Sequence, residues 1–253
     1  MVPTQSTIQL REHFLRRQRG EESETAKVNT QQGHFPLADG GGRRQQRTVT
    51  AQHDGQIAAR ADSAMTAIDA LNQLPVKGRA PKTGYSREAF GQTWSDVDRN
   101  GCDTRNDILK RDLKNVVFKP GTRNCVVISG QLQDPYSGTL MDFIRGETTS
   151  ALIQIDHVVA LSNAWQTGAF QLSLKTRTSL ANDPLNLLAV KGTLNSQKGD
   201  GDAATWLPPN KSYRCEYVAR QISVKRKYGL WVTSPEKAEM LRILAKCSSQ
   251  GLG

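Results

Sequence analysis

Apolar residues recur at helical spacing from Ala61 through Ala64, Met65, Ile68 and Leu71 to Leu74, and predict an amphipathic helix. Pro75, Gly78, Pro81 and Gly84 end it. Residues 85–103 read as loop, and 104–113 as a helix with Thr104 at its N-cap. Three short apolar runs, Val116–Phe118, Val126–Ile128 and Leu140–Ile144, are parted by Pro-Gly and Tyr-Ser-Gly turns and predict strands. SALIQIDHVVALSNAW, residues 150–165, reads as a further core strand, except that Asp156 and His157 interrupt its apolar run. NLLAV at 186–190 predicts another short strand. CEYVARQISVKRKYG reads as a helix, and SPEKAEMLRILAKC as a last one, with Ser234 as N-cap and Pro235 at the first helical position. Residues 1–56 differ. They are rich in Gln, Arg, Glu, Thr and Gly, lack sustained periodicity, and predict disorder, with TIQLREHFLRRQR as a short basic helix at most. The pattern therefore divides the chain into a disordered basic and polar head, 1–56, and one folded α+β domain, 57–250. No internal repeat is visible.

Charge and cysteines narrow the setting. A net charge of +10 over 253 residues suits a polyanionic partner, such as nucleic acid, an acidic membrane surface or an acidic polysaccharide, and suits equally a solvated basic surface without a partner. No stretch is long and apolar enough for a membrane span, and the start of the chain carries no apolar core of a secretory signal. Cys102, Cys125, Cys215 and Cys247 are far apart and never in CxxC spacing, which argues against a zinc knuckle. Two disulfides are expected. Three pairings are possible, and Cys102–Cys125 with Cys215–Cys247 is favoured because each closes a local loop. Four reduced thiols in a cytosolic protein are the alternative.

The chemistry centres on Asp156 and His157. An ionised carboxylate buried without a partner costs several kcal/mol, so this acid needs company. His13, His34 and His53 fall in the head, which leaves His157 as the domain's one candidate imidazole base and makes a multi-histidine zinc site untenable. Three readings of the pair compete. It is a hydrogen-bonded polar pair at a strand end, part of a Ser-His-Asp hydrolase, or part of a metal site. The second lacks a G-x-S-x-G elbow. The third gains weight downstream in the chain, because Asn186 opens the 186–190 strand, Asn195 comes nine positions later near a helix start, and Lys198 lies one helical step beyond. Asp156 and Asn195 offer oxygens that suit Mg²⁺ or Mn²⁺ better than Zn²⁺. Neighbours on a regular strand point to opposite faces, so Asp156 and His157 share a cleft only if the strand ends or twists at 156–158.

The segments IDHVVAL, NLLAV and LNSQKGD, taken together, resemble the His-Asn-His (HNH, or ββα-metal) endonuclease motif in its Asp-His/Asn/Asn form. The branch is that of the C-terminal domain of GmrSD-type restriction endonucleases and of stand-alone, often exported actinobacterial proteins. The likeness extends from LPVKGRAPKTGYSREAFGQTWSDVDRNGCDTRNDILKRDL to the closing Cys247, roughly residues 70–247. It implies a ββα-metal module at about 150–206, with added N-terminal helices and strands and C-terminal helices. It implies His157 as the general base that activates water, Asp156 and Asn195 as ligands of a divalent cation, Mg²⁺ or Mn²⁺, and Asn186 as the residue that braces the loop and orients the base. Lys198 is implied near the phosphorane, with Asp200 close by, and reads equally as a solvated helix residue. Asp200 and Asp202 also read as turn or capping residues. The implied activity is hydrolysis of DNA, with RNA as a second candidate, to 3′-hydroxyl and 5′-phosphate ends with little sequence selectivity. The resemblance and the paired cysteines together imply a secreted or cell-envelope protein, while the missing signal leaves the cytoplasm open; a monomer is expected. A toxin with an immunity partner, and a non-catalytic nucleic-acid-binding or envelope protein that kept the fold, are the alternatives. Asp98, Asp103, Arg105 and Asp107 read as cleft or phosphate residues, or as a structural loop around Cys102. Trp206 reads as a packed corner rather than a base platform, and SVKRKYGLW as a basic phosphate-contact or solvated face.

Overall fold

The computed structural model describes residues 65–253. The expected head 1–56, with its three histidines, and Ala61 and Ala64 lie outside the described residues. The first helix, α1, is Ala67–Gln73, with Thr66 as N-cap accepting from the Asp69 amide. Met65 therefore precedes the helix instead of belonging to it. Helix α2 is Thr104–Asp112, and its N-cap is Asp103, not Thr104. The Asp103 carboxylate accepts from the Asn106 amide at 2.9 Å, while the Thr104 hydroxyl is committed to the Ser95 carbonyl. Strands β1 (Lys114–Phe118), β2 (Val127–Gln133) and β3 (Leu140–Ile144) form an antiparallel meander in the order β1-β2-β3.

A second, two-stranded antiparallel sheet pairs β4 (Ile153–His157) with β5 (Leu187–Lys191). The apolar run from 151 to 161 is thus not one strand. It stops at His157, and the chain turns into helix α3, Leu161–Gln166. Helix α4, Leu174–Ala181, comes next, capped by Ser173. Neither α3 nor α4 stands out in the hydrophobic pattern, because α3 is buried over its whole length and α4 buries only its last two residues. After β5 the chain enters α5, Gly192–Lys198, directly. A Cβ on Gly192 would sit 2.2 Å from the Ala151 carbonyl oxygen, so only glycine lets the strand turn straight into this helix. Helices α6 (Arg214–Lys227) and α7 (Ser234–Leu244) complete the fold. The N-cap of α7 is Thr233 instead of Ser234. Thr233 and Glu236 form a reciprocal capping box.

Three apolar clusters hold these elements together. Helices α1, α6 and α7 share one with Tyr136, Val158 and Val190. A second gathers Phe90, Trp165, Leu180 and Leu230. The third joins α2 and the three-stranded sheet to β4 and β5 through Ile108, Leu132, Phe143, Ile153 and Leu187. The β4–β5 pair is thus clamped between two cores, which makes its ends rigid places for chemistry.

Both expected disulfides are present. Cys102–Cys125 ties the loop before α2 to the β1–β2 connection, and Cys215–Cys247 ties the first turn of α6 to the chain after α7. Each closes a local loop in the unfolded chain, 23 and 32 residues apart in sequence. Replacing Cys215 and Cys247 together with serine is expected to cost about 3 kcal/mol and lower the melting midpoint by on the order of 10 °C, read by thermal denaturation without reductant.

Candidate catalytic cleft

The end of β4, the start of α3 and helix α5 border a cleft of about 430 Å³, whose opposite wall comes from the segment 82–94. Asp156, His157 and Asn195 all line it. Adjacent residues of a strand reach one cleft here because the strand ends at His157 and the backbone turns away at Val158.

Asp156 is buried, with both oxygens engaged. Its Oδ1 accepts from the Lys198 ammonium at 2.9 Å, and its Oδ2 accepts from the Tyr136 hydroxyl at 2.5 Å. Tyr136 is fully buried. That burial, reinforced by the neighbouring Asp156 carboxylate, raises its phenol well above the ordinary range, so it acts as a fixed donor. Lys198 also donates to the His157 carbonyl at 2.8 Å. Its side chain is wholly shielded from solvent, and it does not line the cleft. It is a buried tie between α5 and the end of β4, not a solvated helix residue.

The half-buried His157 ring presents Nε2 to the Ala181 carbonyl at 2.9 Å. A carbonyl only accepts, so Nε2 carries the proton and Nδ1 keeps its lone pair. Nδ1 has no hydrogen-bond partner among the described residues. Burial lowers the imidazole to about 4, with Lys198 and Arg87 adding to the effect against the opposing Ala181 bond and Asp156 charge.

Asn186 is fully buried at the mouth of β5. Its Oδ1 accepts from the Val159 amide at 2.8 Å, and its Nδ2 donates to the Val159 and Leu180 carbonyls. It joins the turn after β4 to the residue just before Ala181, and so braces both sides of the imidazole. Asn195 donates through Nδ2 to Gln154 Oε1 at 2.9 Å, which leaves its Oδ1 without a donor among the described residues. Asp200 stands at the rim, held by Lys82 and Ser162. The Lys82 bond is the main reason its carboxyl is lowered. Asp202 is a buried turn residue paired with Arg79.

Other sequence candidates lie elsewhere. Asp98, Asp103, Arg105 and Asp107 do not line this cleft. Asp98 closes a turn onto Asn100, and Asp103 caps α2. Trp206 packs edge-on against Tyr136 and Tyr217, at 5.0 and 5.8 Å between ring centres, as a core corner. Conversely, Tyr136 and the wall residues Lys82, Arg87 and Trp94 escape a reading of the chain. Tyr136 sits in a stretch, QDPYSG, whose only local signal is a turn.

Among the described residues, no group of three or more His, Cys, Asp or Glu is gathered to hold a metal ion. Of the oxygen donors that line the cleft, the two that the sequence singles out are the Asp156 carboxylate and the Asn195 carboxamide, while Asp200, the second carboxylate, is held at the rim by Lys82 and Ser162. Each Asp156 oxygen accepts one hydrogen bond and retains lone-pair capacity, and the Asn195 Oδ1 is uncommitted. This hard, oxygen-only set fits a Mg²⁺- or Mn²⁺-sized cation that keeps waters and takes a substrate phosphate. The neighbouring Lys198 charge would oppose a cation at that place.

Comparison with known proteins agrees with this architecture. A secreted protein of Arthroderma benhamiae, described as uncharacterized, is 39% identical over 187 residues, covering 73% of this chain and 86% of that protein. No solved structure matches. No described helix is long and apolar enough to cross a membrane. The model of the GmrSD restriction endonucleases' C-terminal domain matches residues 103–243, a stretch that spans β4, β5 and α5 and takes in the whole Asp156–Lys198 region. The chain belongs to the family of GmrSD restriction endonuclease C-terminal domains.

Proposed function

We propose that the protein is a divalent-metal-dependent endonuclease of the ββα-metal type, with β4, β5 and α5 as its module, and that it hydrolyses phosphodiester bonds of DNA. The observation that carries this reading is the convergence of Asp156, His157 and Asn195 on one cleft, with the imidazole locked as the tautomer whose Nδ1 is bare. In this reading Nδ1 takes the proton of the attacking water, and the Ala181 carbonyl stabilises the positive ring that results. Asp156 and Asn195 would hold Mg²⁺ or Mn²⁺, which when bound would supply charge neutralisation at the scissile phosphate. Tyr136 and Lys198 fix the carboxylate, and Asn186 fixes the backbone that carries the base. The excess positive charge serves the phosphate backbone. Two disulfides, and a relative that is secreted, support export as the setting.

The test is conversion of supercoiled plasmid to nicked circles in Mg²⁺ or Mn²⁺, with EDTA and His157→Ala as controls. Nicking that is abolished by both controls is the expected result. Equal nicking by wild type and His157→Ala overturns the assignment of the base. RNA is assayed in parallel, and end-labelling is expected to show 5′-phosphate and 3′-hydroxyl products.

The acid side of the pH profile is set by the buried ring. Its folded value lies below that of a free histidine, so the neutral, competent form persists as pH falls and is lost only through about 4. Nicking rates are therefore expected to hold down to about pH 5 and then to fall about tenfold per unit below 4. A half-maximal rate near 6.5, where a free imidazole titrates, would show a base exposed to water.

A further inference from the structure

The wall of the cleft opposite β4 and α5 comes from residues 82–94, upstream of the stretch that the family model matches. Nothing about the family's motif explains this segment, yet it is docked at several points onto α4 and α2, the helices that flank the cleft. Gly91, at φ +79°, lies so close to α4 that an added Cβ would stand 2.1 Å from the Thr178 hydroxyl. Arg177 of α4 donates to the Ala89 carbonyl at 2.6 Å, and Asn182 donates to the Gln92 carbonyl at 3.3 Å. On the far side, the Thr104 amide at the head of α2 donates to the Trp94 carbonyl. Trp94 itself is held at φ +58°, a left-handed backbone that a bulky side chain adopts only when its surroundings impose it. Its half-buried indole lines the cleft, packs on the core shared with α2 and β4, and lies nearly parallel to the His157 ring. The ring centres are 6.3 Å apart and the planes differ by 12°. That separation falls within the range of interacting aromatic pairs.

The imidazole is therefore gripped twice. The C-terminal end of α4 holds its Nε2 edge through the Ala181 carbonyl, and the segment that is stapled to the same helix brings the Trp94 face alongside. One hydrogen bond fixes the tautomer but leaves the ring free to tilt about the N–H···O axis. A nearly parallel face beside it limits that tilt.

We propose that Trp94 is a positioning residue for His157, its indole fixing the imidazole plane so that Nδ1 stays directed at the attacking water. This rests on the reading of His157 as the base. The residue touches neither water nor phosphate in this role, so its loss lowers turnover without weakening substrate binding.

The test uses the full chain with Trp94→Phe and Trp94→Ala, kinetics on a labelled DNA, and NMR of the His157 ring protons, assigned by their disappearance in His157→Gln. Trp94→Ala is expected to lower kcat by roughly 10- to 100-fold with KM within about twofold, and Trp94→Phe to restore kcat to within about threefold of wild type. The His157 ring protons are expected to show nuclear Overhauser contacts to the Trp94 indole protons in the wild type, and to change shift in Trp94→Ala. Wild-type kcat in Trp94→Ala, while His157→Ala is inactive, overturns the positioning role and leaves the base intact. A rise in KM at unchanged kcat also overturns it, and makes Trp94 a substrate contact. Should Trp94→Ala fail to fold, absence of those Overhauser contacts in the wild-type spectrum overturns it equally. Full activity of His157→Ala defeats the base reading itself, a result distinct from all of these.

Discussion

His157→Ala is expected to lower the nicking rate by on the order of 10²- to 10⁴-fold at saturating Mg²⁺, the usual worth of a positioned general base. No substitute stands nearby. His157 is the only histidine among the described residues, and the other carboxylate at the cleft, Asp200, is tied to Lys82 and Ser162. The fold should survive, because the lost interactions are one hydrogen bond to Ala181 and a partial stack on Trp94, a cost of about 1 kcal/mol. Binding of Mn²⁺, tracked by electron paramagnetic resonance, is expected to persist, since Asp156 and Asn195 are untouched. That separates loss of the base from loss of the ion. A rate within about threefold of wild type would mean that the water is activated by something other than this imidazole.

The parts of this site that the chain announces are those whose chemistry is local. An acid and an imidazole in an apolar run, a strand opened by Asn186, and Asn195 and Lys198 one turn apart can each be read from spacing, and the structure brings all five to the junction of β4, β5 and α5. The end of β4 at His157 is demanded by geometry alone, since both side chains have to reach one side. What stays hidden is tertiary. Tyr136 reaches Asp156 from a β2–β3 turn 20 residues away, and Trp94 reaches His157 from a segment whose regular structure is one short 3-10 turn, Glu88–Phe90. Lys198 looks from the sequence like a residue that could face either water or phosphate. Only the packing of α5 on β4 decides that it is buried against Asp156. Spacing puts the caps of α2 and α7 one residue too late, because two neighbouring side chains could each serve as the cap. At α2 the carboxylate of Asp103 outcompetes a hydroxyl already bonded elsewhere.

Lys198→Met is expected to destabilise the domain by about 3–5 kcal/mol, measured by denaturant unfolding. The substitution keeps the volume and removes the charge, so it leaves the Asp156 carboxylate buried with only the Tyr136 hydroxyl for company and takes one donor from the His157 carbonyl. A solvated lysine at the end of a short helix would cost less than about 0.5 kcal/mol, so the measurement discriminates sharply. The double variant Asp156→Asn/Lys198→Met removes both charges and is expected to regain most of the lost stability while remaining inactive, because the proposed cation site would lose the Asp156 carboxylate. In the single variant the ammonium no longer repels a dication beside Asp156, so folded Lys198→Met is expected to bind Mn²⁺ more tightly than wild type. Normal stability and normal Mn²⁺ affinity with a lost chemical step would place the lysine at the phosphorus instead, and would require α5 to shift so that a wholly buried ammonium reaches the cleft. Lower stability, tighter Mn²⁺ binding and recovery in the double variant would together mark Lys198 as the counter-charge that keeps the buried Asp156 carboxylate folded beside the proposed cation site.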